Sequence, residues 1–98
     1  MEHTKGPWEV DSLAELVSST ANYTVICEMW YGGRASSSEI KANANLISAA
    51  PDMYKALNEI IQLNRRTAHD KYGDEEKAES WACVKVARKA LDKAEGKS

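Results

Sequence analysis

The residue types that could do chemistry are few in this chain, and they are scattered. Its 98 residues include two histidines, His3 and His69, and two cysteines, Cys27 and Cys83. Neither histidine lies beside a cysteine or four residues from another metal ligand, whereas a zinc site needs three or four converging donors. The spacing therefore predicts no metal site and no metal cofactor.

Hydrolytic catalysis would need a nucleophile, a general base within hydrogen-bond reach and a third group that orients the base. The candidate nucleophiles are Cys27 and the three serines at 36–38, and His69 is the one obvious base. His69 falls in a predicted loop, and the serines are explained as residues that begin a helix. We therefore expect no catalytic residue, no cofactor and no enzymatic activity.

A glycine pair followed by an arginine could bind phosphate at the start of a helix. Gly32-Gly33 leads through Arg34 into the serine run, and the free amides of a helix N-terminus attract anions. Arg34 would bind the phosphate, and Trp30 and Tyr31 would stack on a base. The segment lacks the frame of a P-loop. A hairpin turn before a helix cap explains the same residues, so a nucleotide ligand remains an alternative.

The densest basic cluster is formed by Arg65, Arg66 and Lys71, with His69 between them. Cations at the end of a helix offset its dipole, which explains the cluster without a ligand. The whole chain has 13 Lys and Arg against 15 Asp and Glu, a net charge of −2. Because the chain lacks the net positive charge that is typical of nucleic-acid-binding proteins, DNA binding is a second alternative that we do not favour.

The elements that position these residues begin with a small sheet. Trp8 and Val10 point to one side of a short first strand. The clearest strand is predicted over 23–31, where aromatic and β-branched residues alternate. Residues 13–20 fit either a helical turn or an edge strand over 16–19, and we favour a strand or irregular structure over the helix. A sheet of only two or three strands is marginally stable by itself, so we expect helices to pack against it and cover its apolar face.

Two helical patterns follow the sheet. The first runs over 36–67 and opens with Ser36 and Glu39 at the spacing of a capping box. Pro51 either kinks this helix or ends it near Ala49, and the unbroken apolar register favours a kink or a tight joint. Gly73 is a predicted left-handed turn residue, and the second helix then runs over 74–95. The short connection makes the two helices antiparallel.

These elements predict an α+β fold in a single domain, 1–98. An N-terminal antiparallel sheet of two or three strands (1–35) packs on the two antiparallel C-terminal helices, the first kinked or broken at Pro51. The residues predicted to form the core are Trp8, Val10, Val25, Cys27, Met29, Leu46, Ile47, Met53, Leu57, Ile60, Trp81, Val84 and Leu91.

The apolar face of the first helix is wider than a small sheet and one partner helix should cover. Exposed apolar areas beyond a few hundred Å² usually mark an interface, and most homo-oligomers are two-fold symmetric. We therefore expect a dimer; the alternative is that the sheet covers the whole face. The predicted interface residues are Leu57, Ile60, Ile61 and Leu63, or Trp81 and Leu91.

Three segments resemble a known group of proteins. The opening GPWEV (6–10) is similar to the GPW-x-V opening of small accessory proteins of tailed phages and prophages, and ANANLISAAPDMYKAL (42–57) resembles their ANA-x-LI-x-AAP-[DE]-LL-x-AL segment. The ending over 87–96 resembles their AL-x-KA finish. The chain departs from the pattern at Tyr54, where leucine is usual, and throughout 11–35. The resemblance implies a phage origin and carries no catalytic residue.

The resemblance implies a function by analogy, because phages devote many such genes to countering host defence. We expect a non-catalytic protein that binds and inhibits a host protein through residues 28–35 and one helix face. Sequestering a nucleotide messenger is the first alternative. The N-terminus lacks the apolar run of a signal peptide, and no segment has the ~20 apolar residues of a membrane span. We therefore expect the host cytoplasm and no membrane partner.

Overall fold

The structure is a computed structural model that describes residues 3–11, 16–29 and 36–97. A three-stranded antiparallel sheet at the N-terminus is followed by helices, which confirms the predicted α+β class. The chain divides into two compact units, Met1–Met53 and Tyr54–Ser98. The single domain stays a prediction, because this division concerns packing and not independent folding. No helix in the described ranges is long and apolar enough to cross a membrane.

The sheet of the first unit has the order β1-β2-β3, with β1 at Trp8–Val10, β2 at Leu16–Ser19 and β3 at Val25–Glu28. Within the ambiguous segment 13–20, residues 16–19 form a strand, and residues 13–15 lie outside the described part of the chain. This strand is central, whereas an edge strand was expected, and it pairs antiparallel with both neighbours. Its central position explains why Val17 is fully buried.

The last strand is shorter than predicted. Tyr23 has a φ of 58°, in the left-handed region, and its amide donates to the Ser19 carbonyl at 2.9 Å. This residue therefore belongs to the turn between β2 and β3. Tyr23 and Val25 are exposed, while Ile26 and Cys27 are half-buried. The strand predicted over 23–31 therefore begins two residues later, at Val25, and the predicted burial of Val25 is wrong.

The N-terminal motif contacts the start of α2, which spans Ala50–Tyr72. A Cβ added at Gly6 would lie 3.0 Å from Pro51 Cβ and 3.3 Å from Pro51 Cγ. The indole Nε1 of Trp8 donates to the Thr4 carbonyl at 3.0 Å. The GPW opening and the AAP segment, which are far apart in sequence, are thus in close contact within the first unit.

The predicted long helix is two helices with a one-residue joint. Helix α1 spans Ser37–Ser48, and Ala49 separates it from α2. The Ser36 side chain accepts from the Glu39 amide at 3.2 Å, which confirms the predicted cap. The tight joint is also confirmed, because Pro51 cannot donate an amide and stands in the first turn of α2. Helix α1 contacts β1 and β2.

The second unit contains most of α2, a short 3-10 helix at Glu75–Ser80 and α3 at Ala82–Ala94. Helix α2 runs to Tyr72, beyond the predicted end, because Ala68 is fully buried and keeps the chain helical. Gly73, at a φ of 65°, then ends it as predicted. The α-helix expected from 74 begins only at Ala82.

Helices α2 and α3 are antiparallel, as predicted. The Tyr54 hydroxyl at the start of α2 donates to Glu95 Oε1 just after α3, at 3.4 Å. Further along, the Cys83 thiol donates to Asn64 Oδ1 at 3.5 Å. The core between them consists of Ile61, Ala68, Ala78, Val84, Ala87 and Leu91, with Tyr54, Leu57 and Trp81 packed against it.

Four residues predicted to be buried are exposed. The wide apolar face of the long helix contains two rows, and the row that includes Tyr54, Leu57 and Ile61 faces the core. Ile60, beside Ile61, belongs to the other row, and in α1 the buried residues are Ile40 and Ala44. The exposed members of the predicted core are Val25, Leu46, Met53 and Ile60.

Candidate functional site

The residues predicted to bind a nucleotide, Trp30, Tyr31 and Arg34, lie outside the described residues. Most of the segment 28–35, which was predicted to bind a host protein, also lies outside them. Nucleotide binding stays a prediction. Among the described residues, no group of three or more His, Cys, Asp or Glu side chains could hold a metal ion.

Charged residues of the second unit form a network around Arg65 and Glu79, and we call Arg65, Arg88, Glu75, Glu76 and Glu79 the Glu79 cluster. One guanidinium nitrogen of Arg65 donates to Glu79 Oε2 at 2.8 Å, and the other donates to Glu76 at 3.1 Å and Glu75 at 3.2 Å. Arg88 binds Glu79 with two nitrogens, Nη2 at 2.8 Å and Nε. The 3-10 helix positions its three glutamates around one arginine of α2.

The hydrogen bonds of the Glu79 cluster shift the pKa values of Glu79, Arg65 and Arg88. The hydrogen bonds from Arg88 and then Arg65 lower the pKa of Glu79 from about 4.5 to about 2. The hydrogen bond to Glu79, followed by that to Glu76, raises the pKa of Arg65 above its usual value. These groups hold fixed charges near neutral pH, which suits ion pairing within the unit.

The predicted basic patch is divided by this arrangement. Arg65 is engaged by three carboxylates, whereas Arg66 and Lys71 are exposed. A shallow groove of about 260 Å³ is lined by Gln62, Arg65, Arg66, His69 and Glu75. Arg65 is paired with carboxylates of the same unit, which reduces the positive potential on its side of the groove. DNA binding stays a prediction that gains no support from this groove.

The predicted interface residues fall into two classes. Ile61, at 2% exposure, and Leu91 lie in the core of the second unit, and Leu57 and Trp81 pack against that core. Ile60 is 41% exposed and Leu63 is 57% exposed. The dimer stays a prediction. Of the residues predicted to form its interface, Ile60 and Leu63 are the two that present a large apolar surface to solvent.

Ile60 and Leu63 belong to a row of exposed residues that we call the α2 outer row: Ala56, Ile60 and Leu63. Steps of four and three place them on one side of the helix. An open groove of about 380 Å³ runs beside the row, lined by Lys55, Asn58, Glu59, Gln62, Leu63 and Arg66. The aliphatic stems of the long polar side chains extend the apolar surface around Leu63.

A second exposed row lies on α3 and was not predicted. Val86 is 69% exposed and stands between Ala82 and Ala90 at steps of four, so these three residues form the α3 outer row. Lys85, Lys89 and Lys93 follow the same steps beside it and are also exposed. The result is an exposed apolar strip with a positive edge.

Two features of the second unit were not predicted from the sequence. Glu79 is nine residues from Arg88 and fourteen from Arg65, spacings that no local rule connects. Val86 lies on the lysine-rich side of α3, opposite the residues that were predicted to form the core. Its position between two alanines at steps of four was the available signal for an outer row.

Comparison with known proteins gives the chain a family. A family model described as Salmonella phage P22 protein Y8K6 matches residues 1–98. The chain belongs to this family. The Y8K6 family is a phage protein family, which confirms the phage origin implied by the GPW opening and the AAP segment. Searches of curated proteins and of solved structures gave no match.

Proposed function

We propose that this Y8K6-family protein is a non-catalytic phage accessory protein that binds a host protein. The observation that carries the proposal is the α3 outer row, in which Val86 is 69% exposed beside three lysines. None of the three lysines takes part in an ion pair among the residues that the structure describes. An apolar strip with a free positive edge suits a partner with an apolar surface and nearby carboxylates.

The action that we propose is inhibition of a host anti-phage defence protein by occlusion, in the host cytoplasm. Membership in a phage family supports the host as the source of the partner. Occlusion requires only a stable complementary surface and no reacting group. Most of the free energy of binding would come from Val86 at the centre, while the lysines would accelerate association.

The proposal is tested by capture from host lysate with a tagged chain, followed by binding measurements with the purified partner. The expected result is one stoichiometric host protein that the Val86→Asp variant fails to retain. Leu46→Asp is the matched control, because Leu46 is an exposed apolar residue on α1 and should keep the partner. The purified partner should lose activity when the intact chain is added.

Two results would contradict the proposal. The first is a captured protein that Val86→Asp and the intact chain retain equally. The second is a small molecule released from the purified chain, detected by mass spectrometry, in the absence of any protein partner. That result would favour the alternative of a nucleotide-sequestering protein.

A further inference from the structure

The exposed face of α2 carries charges in an order that is complementary to itself. Lys55, Glu59, Arg66 and Asp70 are spaced by four, seven and four residues, and their signs alternate along the helix. The spacing is symmetric about the point between residues 62 and 63. Reversing the helix about this point places each charge opposite one of the opposite sign.

The four charges also lie along one line of the helix. At about 100° per residue, all four fall within about 30° of the direction through the symmetry point. We call them the α2 charge stripe. All four side chains are exposed, and none takes part in an ion pair within the described ranges. The α2 outer row runs directly beside the stripe, between it and the core-facing residues.

From this arrangement we infer that α2 pairs with α2 of a second copy of the chain, antiparallel and about a two-fold axis near residues 62 and 63. The outer rows then meet, with Ile60 of one copy beside Leu63 of the other. Glu59 lies opposite Arg66 twice, and Lys55 lies opposite Asp70 twice. A closed two-fold interface uses the same surface on both chains, as this self-complementary order requires.

The charge order discriminates between orientations. A parallel pair in register would place each charge beside its own copy, and like charges in contact oppose association. The antiparallel pair instead repeats every favourable contact across the axis. The paired segment from Lys55 to Asp70 would be about 22 Å long, at about 1.5 Å per residue. The inference is independent of the host partner proposed above, since it uses α2 and not α3.

Sedimentation equilibrium over micromolar to millimolar concentrations tests the pairing. We expect the intact chain to form a dimer, and Glu59→Arg or Arg66→Glu to weaken it by on the order of 10- to 100-fold at low salt, because either change makes two contacts repulsive. Added salt should reduce this difference. Asp92→Arg and Lys41→Glu change the charge equally at exposed positions outside the stripe and should leave the dimer intact.

The decisive arm mixes the two weakened variants. Each Glu59→Arg chain carries two positive groups at these positions, and each Arg66→Glu chain carries two negative groups. An equimolar mixture should therefore form mixed dimers, visible by mass in native mass spectrometry, with the affinity of the intact chain. The double variant Glu59→Arg/Arg66→Glu should self-associate again.

Three results would overturn the inference. The first is an intact chain that stays single up to millimolar concentration. The second is a dimer that either single variant leaves unchanged, as a different or parallel interface would give. The third is a mixture of the two variants that associates no better than either alone. Circular dichroism confirms that each variant is folded, so weakened association cannot be mistaken for unfolding.

Discussion

Glu79 holds two arginines, and neutralising it should lower the stability of the second unit. The change Glu79→Gln keeps the size of the side chain and removes its charge. Arg65 would still be bound by Glu75 and Glu76, whereas Arg88 would lose its ion-pair partner in the Glu79 cluster. Hydrogen bonds between charged groups contribute about 1.5–3 kcal/mol when screened from water and less when exposed.

The Glu79 side chain is 30% exposed, so we discount this range and expect a loss of about 1–2 kcal/mol at pH 7. For a chain of this size, a loss of 1 kcal/mol lowers Tm by about 4–8 °C. Urea unfolding followed by far-ultraviolet circular dichroism measures the loss. Glu75→Gln is the matched control, because Glu75 makes a single contact at 3.2 Å and is 58% exposed, and it should change little.

The pH dependence provides an independent check of the same reasoning. The pKa of Glu79 is lowered from about 4.5 to about 2, so its ion pairs contribute fully above pH 4.5. That contribution is lost as the pH falls from about 4.5 towards 2. The difference between the intact chain and Glu79→Gln should therefore close over this range. An equal midpoint at pH 7, or a difference that does not change with pH, would refute the assignment of Glu79.

Two further predictions test the packing within each unit. Ile61→Ala should lower the free energy of unfolding by about 2–5 kcal/mol because it leaves a cavity in the core. Ile60→Ala removes an exposed side chain and should lower it by less than about 0.5 kcal/mol. Urea unfolding at micromolar concentration compares the two variants, and equal losses of stability would show that the wrong row has been assigned to the core. Gly6→Ala should lower the free energy of unfolding by about 1–3 kcal/mol, because the added methyl group would press on the rigid ring of Pro51. If calorimetry gives the variant the same Tm as the unsubstituted chain, this contact is contradicted.

Local chemistry made several elements predictable. The cap formed by Ser36 and Glu39 depends on residues three apart, and the left-handed turn at Gly73 depends on one residue without a Cβ. The joint before Pro51 follows from a missing amide donor. The α+β class follows from the change from alternating to helical periodicity. Each of these features requires only neighbouring residues, so the sequence contains all of the information.

Contacts between distant segments set the remaining features. Ile60 and Ile61 are equally apolar, and the direction from which α3 packs selects Ile61 for the core. The strand over 16–19 is central because β1 pairs with it on one side and β3 on the other. The 3-10 helix holds three glutamates around Arg65, which removes that residue from the predicted basic patch. Free energy from such contacts exceeds the small local preferences that a sequence pattern expresses.

The candidate surfaces divide in the same way. The order of charges from Lys55 to Asp70 is present in the sequence, and its helical spacing could be read there. Whether those charges and Leu63 reach solvent depends on which side of α2 the core occupies. Val86 likewise reaches solvent only because Val84 and Leu91 turn the opposite side of α3 inward. Periodicity places residues on a common face of a helix, and packing determines which face is left for a partner.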